Sequence, residues 1–541
     1  MKKRLVCFTL CILAVTGCVA PTPPGPTSTP APPTVTPLPT ATLTPAPPRE
    51  VVVVLPESPD GLNPFYARSW AARAVADLFL NGLWRLDGAL VPHPELAARV
   101  PSRANGGISE DGRVLTIALR TDVLWSDGVP VTAEDVVFTY QMAVAPGNAV
   151  ASRFPYNLME SVAALDAHTV EVRFVEPFAP WASALFPFVL PRHVLQPVFE
   201  HEGTLDRAVW NRMPGVGSGP FVFAGEEDGA LLFEANPLYW RGRAAAERVR
   251  LTAEPDPAAR LAAVTSGTAD LAPLLWPETS GWVGALPDVR FLPAASGVVE
   301  TLAFNLTPGE GHPALQQAVV RRAIALALER DLVCDVLAPG QARPAFTLWS
   351  GTMFEDSLRS VAAPDNGPES LLREAGWEDG DGDGVREKDG LPLVLRYAVP
   401  ASPVDRTAVQ VAVAGMLRQV GVGIEPVVWR EGAGWDLAQW AESPAGYPDP
   451  DDPRWLCIEA RPGGMNRTGV CDEALDDALY AQVGSVDLEA RAALLYQLET
   501  LNAEQAWWVP LCSVPDVWAA SSRVESAAPW RGAPFWDAWG W

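Results

Sequence analysis

The amino-acid sequence predicts an α/β protein made of two or three lobes. Its 541 residues are too many for one ordinary hydrophobic core, and each lobe of such a chain is large enough to fold without special staples. Mixed strand-like and helix-like stretches run from Val51 to about Val298. Residues 391–429 then show a strand, a helix and a second strand, which predicts a βαβ unit with parallel pairing and a right-handed crossover.

The chain begins with a segment typical of an export signal. A basic start precedes an apolar run from Leu5 to Val15, which is too short to span a bilayer. Small residues stand immediately before Cys18, as in a bacterial lipobox. We therefore expect residues 1–17 to be a lipoprotein signal peptide and Cys18 to become the lipidated first residue. The alternative is a plain signal peptide with an incidental cysteine, and both interpretations export the protein.

Residues 18–48 follow as a linker, and from Pro21 to Pro48 they are almost entirely Pro, Thr, Ala and Ser. Proline removes hydrogen-bond donors and favours polyproline II, so this segment cannot build a core and is predicted to be disordered or semi-stiff. In that conformation it reaches on the order of 80 Å at about 3.1 Å per residue. The folded part is predicted to begin near Val51.

The charge balance excludes some classes of partner. The chain has 65 acidic and 40 basic side chains and a formal net charge of −25. This charge argues against nucleic acid or an anionic membrane surface as the main partner. Two interpretations stay open: the charge keeps an exported protein soluble, or the ligand is cationic or carries an amine.

The elements of the first half follow from local patterns. Val51–Leu55 is a continuous apolar run that suits a buried strand. Val114–Arg120 alternates like a half-buried strand, Ser126–Gly128 breaks it, and Thr132 can cap a following helix. Thr169–Val175 alternates in the same way, which predicts another strand.

The second half predicts helices and strands of a separate lobe. Ala314–Leu337 carries apolar residues at helical spacing and is predicted to be one helix. The βαβ unit comprises a strand over Leu391–Val399, a helix over Asp405–Val420 and a strand over Gly423–Trp429. Asp487–Glu504 is predicted to be a last long helix.

Several segments resemble, in the expected order, signatures of the family 5 solute-binding proteins, the extracellular receptors of oligopeptide, dipeptide and nickel ABC importers. The longest is WSDGVPVTAEDVVFTY, which forms a turn, a cap and a helix and identifies the family without touching the ligand. The others are Asp60–Pro64, Asn81–Asp87, Gly217–Phe221, Val319–Val333, and Trp440 followed by Tyr447–Pro453.

The resemblance implies a two-lobed, periplasmic-binding-protein-like α/β fold with a hinge and an extra subdomain in lobe I. It implies lobe I over residues 49–300, lobe II over 301–508 and a return to lobe I over 509–541. It also implies a monomer that captures a small solute, oligopeptide-like in the first place, and docks on an ABC permease with a separate ATPase. The same fold without a permease partner would serve a sensor or a peptide-scavenging chaperone.

The resemblance also indicates candidate ligand-binding residues. Peptide-binding relatives hold the ligand's α-amine with an Asp, but residues 445–447 of this chain carry no acid, so a short peptide, a sugar oligomer, an opine-like compound and a metal chelate all stay open. An interlobe pocket needs an aromatic wall with a few polar anchors. The expected contacts in lobe II are Trp440, Tyr447, Asp449 and Glu442, and those near the cleft or hinge are Trp84, Trp70 and Asn305.

Patterns of catalysis and of bound cofactors are missing. The five histidines show no zinc spacing, and no serine lies in GxSxG, so we expect neither an enzyme nor a cofactor. Asp379–Gly384 begins like a calcium loop, but Gly390 stands where a bidentate Glu is needed. A solvated turn is the favoured interpretation, with calcium binding as the alternative.

Four cysteines remain after the leader and Cys18, and they allow three pairings. Cys457 and Cys471 flank a Pro-Gly-Gly loop, and we predict a disulfide between them. Cys334 and Cys512 are expected to be buried and free.

Overall fold

The structure, a computed structural model, describes ten stretches of the chain. These are residues 49–275, 286, 288–355, 366–400, 406–430, 434–442, 455–460, 465–524, 527–529 and 532–541. The α-helices are α1 (Trp70–Phe79), α2 (Ala133–Val144), α3 (Trp181–Ala184), α4 (Arg192–Glu202), α5 (Pro257–Thr265), α6 (Ala318–Leu326), α7 (Arg330–Leu337), α8 (Pro368–Glu374), α9 (Arg406–Gln419), α10 (Glu473–Val483) and α11 (Leu488–Gln505). Short 3-10 helices lie at Tyr156–Leu158, Val209–Asn211, Pro313–Gln316, Cys457–Glu459 and Ala538–Gly540.

The strands form one large sheet and three small ones. They are β1 (Glu50–Leu55), β2 (Trp84–Leu86), β3 (Pro92–Pro94), β4 (Val114–Ala118), β5 (Met159–Asp166), β6 (Thr169–Phe174), β7 (Phe221–Glu227), β8 (Ala230–Ala235), β9 (Arg248–Ala253), β10 (Leu271–Leu274), β11 (Val289–Phe304), β12 (Arg343–Pro344), β13 (Glu387–Lys388), β14 (Leu391–Pro392), β15 (Val394–Pro400), β16 (Gly423–Trp429), β17 (Leu437–Glu442) and β18 (Trp508–Ser521). The large sheet has the order β16-β15-β17-β11-β18-β10-β1-β9-β8-β7, and β12 also pairs with β18.

Two long antiparallel strands, β11 and β18, run through both lobes. Their pairing shifts register between Ala294 and Val298, where Gly297 has a φ of 67°. Ala294 belongs to the core of lobe I, around β1, β9 and β10, and Val298 belongs to the core of lobe II, around β15 and β17. The division between the two cores on β11 therefore coincides with this bulge. The boundaries expected at residues 300/301 and 508/509 stay predictions.

The signature stretch has the structure that its local pattern predicts. β4 pairs antiparallel with β6, and α2 begins directly after Thr132, whose backbone N–H donates to the Asp135 carboxylate at 2.8 Å. Trp125 is fully buried. Because β4, β5, β6 and α2 pack as one unit of lobe I, this stretch serves the small extra subdomain.

The predicted βαβ unit is confirmed. β15 and β16 are parallel neighbours, and α9 connects them. The predicted first strand is divided, because Leu391 and Pro392 form a separate hairpin with β13 before β15 begins. The last long helix is also confirmed, as α11 with Asp487 as its N-cap.

The prediction of a single helix over Ala314–Leu337 is wrong. The segment contains a 3-10 turn and then α6 and α7, which are separated at Ala327–Glu329. The Ala327 N–H is shared between the carbonyls of Ala323 and Ile324, which tightens and ends α6. The break lets α7 lie along β18, where the Arg330 guanidinium donates to the Pro510 carbonyl at 2.9 Å.

The expectation that Cys334 and Cys512 are free is also wrong. Because α7 packs on β18, it brings their Cα atoms to 5.6 Å, and the structure joins the two cysteines in a disulfide. They are 178 residues apart in the chain. A second disulfide joins Cys457 to Cys471, whose Cα atoms are 4.3 Å apart.

A turn between α10 and α11 connects the lobes away from β11 and β18. We call residues 483–486 the bridging turn. Both helices belong to lobe II, since α11 packs on α6, yet Val486 is only 1% exposed within the core of lobe I. The Val483 carbonyl accepts from the Ala179 N–H at 2.9 Å, and the Val486 carbonyl accepts from the Trp181 indole N–H at 2.9 Å.

Candidate ligand-binding site

Lobe I contains a cavity of about 490 Å³. Its wall combines rings and small apolar side chains with a few charged groups, which is the composition expected of a small-molecule site. The polar and aromatic residues that line it are Phe65, Arg73, Asp77, Trp84, Arg85, Ser152, Phe154, Tyr156, Ser183 and Phe188. Ala182, Ala184 and Ala533 are among the small ones.

A buried ion group forms one side of the cavity. The Arg85 guanidinium contacts the Asp77 carboxylate through Nη1, and it contacts Glu95 Oε2 through Nε at 3.2 Å and Nη2 at 3.0 Å. All three side chains are buried. Burial raises the pKa of Asp77 to about 7, against the opposing effect of the Arg85 charge.

Tight backbone packing positions this group. A Cβ at Gly82 would lie 2.5 Å from the Pro187 carbonyl oxygen, so only glycine lets β2 approach the segment that ends at Phe188. The Gly82 N–H also donates to Glu95 Oε2 at 3.1 Å. The glycine therefore brings Arg85 on β2 and Phe188 to the same cavity wall.

Two of the predicted tryptophans lie in lobe I with different surroundings. Trp84 lines the cavity with its ring, but its indole N–H donates to the Ala182 carbonyl at 2.5 Å and its ring meets Trp181 edge-on at 5.1 Å. Trp70 is half-buried at the start of α1, and its ring lies 6.3 Å from that of Trp518. Only Trp84 is among the cavity-lining residues.

Lobe II presents a face rich in tryptophan. On β11, Glu300 points to the helix-covered side, where its carboxylate accepts from Arg406 Nε at 2.9 Å, so its neighbour Thr301 points to the opposite side. Trp440 pairs with Thr301 across the strands and therefore shares that opposite side. We call Trp429, Trp435 and Trp440, which pack around Ala398 and Ala438, the tryptophan face.

The tryptophan face is partly accessible. The rings of Trp435 and Trp440 meet at 5.9 Å, and the Arg467 guanidinium lies 5.1 Å from the Trp429 ring. Trp440 and Trp429 are half-buried. This arrangement can stack against a flat or apolar ligand group.

Asn305 uses its side chain within the protein. Its amide Nδ2 donates to the Trp435 carbonyl at 3.0 Å, and its Oδ1 accepts from the Thr307 N–H at 3.1 Å. It thus fixes the loop that carries Trp435. Tyr447 and Asp449 lie outside the described residues, and so does the side chain of Glu442 at the end of β17.

The charged groups of the lobe I cavity were missed by sequence reasoning. A signal was present, because Asp77 interrupts the apolar stretch of α1 and Arg85 follows eight residues later in a stretch that is also apolar. A buried charge inside an apolar element normally has a partner of opposite charge.

The Asp379–Gly384 segment forms an exposed turn. One Asp379 oxygen accepts from the Gly382 N–H at 2.7 Å, and Glu387 Oε1 accepts from the Gly380 N–H at 2.6 Å. Oxygens of Asp379, Asp381 and Glu387 lie within 4.8 Å of one another. Since backbone N–H groups occupy these carboxylates, the geometry suits the solvated turn, and calcium binding stays an untested alternative.

Comparison with known proteins identifies the family. Residues 91–461 match the model of the bacterial extracellular solute-binding proteins, family 5 Middle. The chain belongs to family 5 of these solute-binding proteins. It is 27% identical over 490 residues to Protein XP55 of Streptomyces lividans, covering 87% of this chain and 85% of that protein. It is 25% identical over 503 residues to di/tripeptide-binding protein 2 of Pseudomonas aeruginosa, covering 86% of this chain and 90% of that one.

Solved structures agree with this fold. The ABC transporter substrate-binding protein of Sinorhizobium meliloti superposes with a TM-score of 0.72 at 22% identity, covering 90% of this chain and 99% of that one. The chain therefore has the two-lobed fold of the family, whose members are extracytoplasmic binding components of ABC importers. Across the described residues, every helix is too short or too polar to cross a membrane.

Proposed function

We propose that this family 5 protein, the substrate-binding component of an ABC importer, captures its solute in the lobe I cavity. The observation that carries the proposal is the cavity itself, since about 490 Å³ of concave space lined by rings and by a buried ion group has the size and composition of a small-molecule site. Closure would bring the tryptophan face of lobe II over the solute. The closed form then docks on the permease.

An oligopeptide-like solute is the first class to test. The relative in Pseudomonas aeruginosa is named for di- and tripeptides, and the solved structure of the oligopeptide-binding protein AppA from Bacillus subtilis contains a nonapeptide. Residues 445–447 of this chain lack an acid for a peptide α-amine, so Glu442 or Asp449 would have to serve instead. Sugar oligomers, opine-like compounds and metal chelates belong in the same screen.

Native mass spectrometry of the purified protein tests the cavity. Ala184→Trp places an indole in the cavity and should remove any co-purified solute and any stabilisation by a screened one. Ala258→Trp, on the exposed face of α5, is the matched control and should keep both. Equal solute retention in the two variants would show that the solute binds elsewhere. A bound solute at 100 times its Kd should stabilise the control by about 2.7 kcal/mol.

We propose that residues 1–17 are removed and that Cys18 carries a lipid, with residues 18–48 as the tether of a monomeric receptor. Cys18→Ser should release the protein from the membrane fraction of its host. Cys11→Ser, inside the leader, should leave it there. A Cys18→Ser protein that stays in the membrane fraction would contradict the lipid anchor.

A further inference from the structure

We propose that the lobe I cavity binds an oxyanion of the solute, a carboxylate or a phosphate group, between Arg73 and Tyr156. This inference rests on the proposed function and adds the chemistry that the cavity selects. It starts from the charged and polar groups of the cavity wall.

Within the buried ion group, the single guanidinium of Arg85 faces the two carboxylates of Asp77 and Glu95. Arg85 spends its N–H groups on Asp77, on Glu95 and on the Leu80 carbonyl, the last at 3.3 Å. Asp77 is the acidic residue of the cavity wall, and Arg85 contacts it directly. Asp77 is therefore already engaged by Arg85, and a cationic ligand would also face the positive charge of Arg73.

Arg73 is the available cation. It lies on α1 one turn before Asp77, lines the cavity and is exposed. Within the described part of the chain it has neither a hydrogen bond nor an ion pair. Its guanidinium is therefore available to a ligand that enters the cavity. Guanidinium groups match carboxylates and phosphates with two parallel hydrogen bonds.

Tyr156 supplies the second, independent observation. Its side chain lines the same cavity and is 4% exposed, and its hydroxyl proton has no acceptor among the described residues. An unpaired buried hydroxyl is destabilising, and an oxyanion that accepts its proton would remove that cost. Burial raises the pKa of the Tyr156 phenol, while a hydrogen bond from the Phe186 backbone N–H and the Arg73 charge act in the opposite direction.

The test uses acids paired with neutral analogues. Full-length wild-type protein is titrated with acetyl-trialanine and its amide, gluconate and gluconamide, and glycerol 3-phosphate and glycerol, with thermal stability as the readout. We expect at least one acid to bind, and its neutral partner to bind about 10- to 100-fold more weakly, as for loss of one charge-assisted hydrogen bond. Carboxylate and phosphate probes distinguish the two sources of the oxyanion.

Three variants assign the effect. Arg73→Gln and Tyr156→Phe should each reduce the preference for the acid, Arg73→Lys should keep most of it, and the exposed control Arg103→Gln should leave it unchanged. Binding of none of the acids, or a preference that survives Arg73→Gln, would overturn the inference. A co-purified solute that Ala184→Trp removes but Arg73→Gln retains would leave the proposed function standing while this inference falls.

Discussion

Shortening Val486 to alanine should shift the protein towards its open form. Val486 carries two methyl groups that are almost fully buried against lobe I, although its chain segment belongs to lobe II. Removing them costs about 1.6 kcal/mol at about 0.8 kcal/mol per buried carbon, and a cavity left behind adds to that. The hydrogen bond from the Trp181 indole N–H to the Val486 carbonyl is kept, so the substitution tests the packing alone.

The consequence for closure can be worked out from this figure. If lobe I and the bridging turn separate on opening, the whole loss falls on the closed form, and the ratio of closed to open molecules drops by roughly 15-fold at about 1.4 kcal/mol per tenfold change. When the free protein is mainly open, the Kd of the solute rises by the same factor. Single-molecule fluorescence energy transfer between dyes on the two lobes measures the ratio directly.

A matched substitution separates closure from general destabilisation. Val264, on α5, is 3% exposed within a separate core cluster of lobe I, which includes none of the bridging-turn residues among its described members. Val264→Ala should lower the free energy of unfolding by a similar amount and leave the energy-transfer distribution unchanged. The reasoning is refuted if Val486→Ala leaves that distribution unchanged as well, or if both variants shift it equally.

Three further predictions concern stability and the tryptophan face. Burial raises the pKa of Glu499 from 4.5 to about 7, so between these pH values the folded state holds a proton that the unfolded state releases. The free energy of unfolding should therefore fall as the pH rises from 4.5 to about 7. Urea unfolding of Glu499→Gln should show a smaller fall over the same pH range. Replacing both Cys334 and Cys512 by serine opens a loop of 178 residues and should lower the free energy of unfolding by about 5 kcal/mol in the chain-entropy model. Replacing Cys457 and Cys471, which are 14 residues apart, should lower it by about 3 kcal/mol. Equal urea midpoints for the two double variants would contradict this prediction. The Kd of the solute should be about tenfold higher for Trp440→Ala than for Trp539→Ala, because a stacking aromatic residue typically contributes more than about 1 kcal/mol to binding. Equal Kd values of the two variants in calorimetry would show that Trp440 is not part of the site.

Elements that depend on neighbours in sequence were predictable, and contacts between distant segments were not. α2 and the βαβ unit follow from caps, turns and apolar periodicity, which are local. The separation of α6 from α7 escaped prediction because apolar spacing continues through Ala327–Glu329 while the packing partner changes. The disulfide between Cys334 and Cys512 depends on α7 lying along β18, and no pattern within either segment states that.

The candidate site shows the same limit. Trp84 was predicted from a resemblance, but Arg73, Asp77 and Tyr156 meet at one cavity only because α1, β2 and the segment before Tyr156 fold together. The motif around Trp440 predicted that this residue lines the ligand pocket from lobe II. The pairing of Trp440 with Thr301 shows which side of the sheet it occupies.

The cavity and the bridging turn are connected through one side chain. Trp181 lies between them: its ring meets Trp84 of the cavity wall edge-on at 5.1 Å, and its indole N–H donates to the Val486 carbonyl. Since Trp181 is fully buried, it cannot change rotamer without disturbing one contact or the other. Under the proposed function, a solute that displaces Trp84 would disturb Trp181 and through it the contact with Val486, and a solute that favours one arrangement of this contact would shift the balance between open and closed forms.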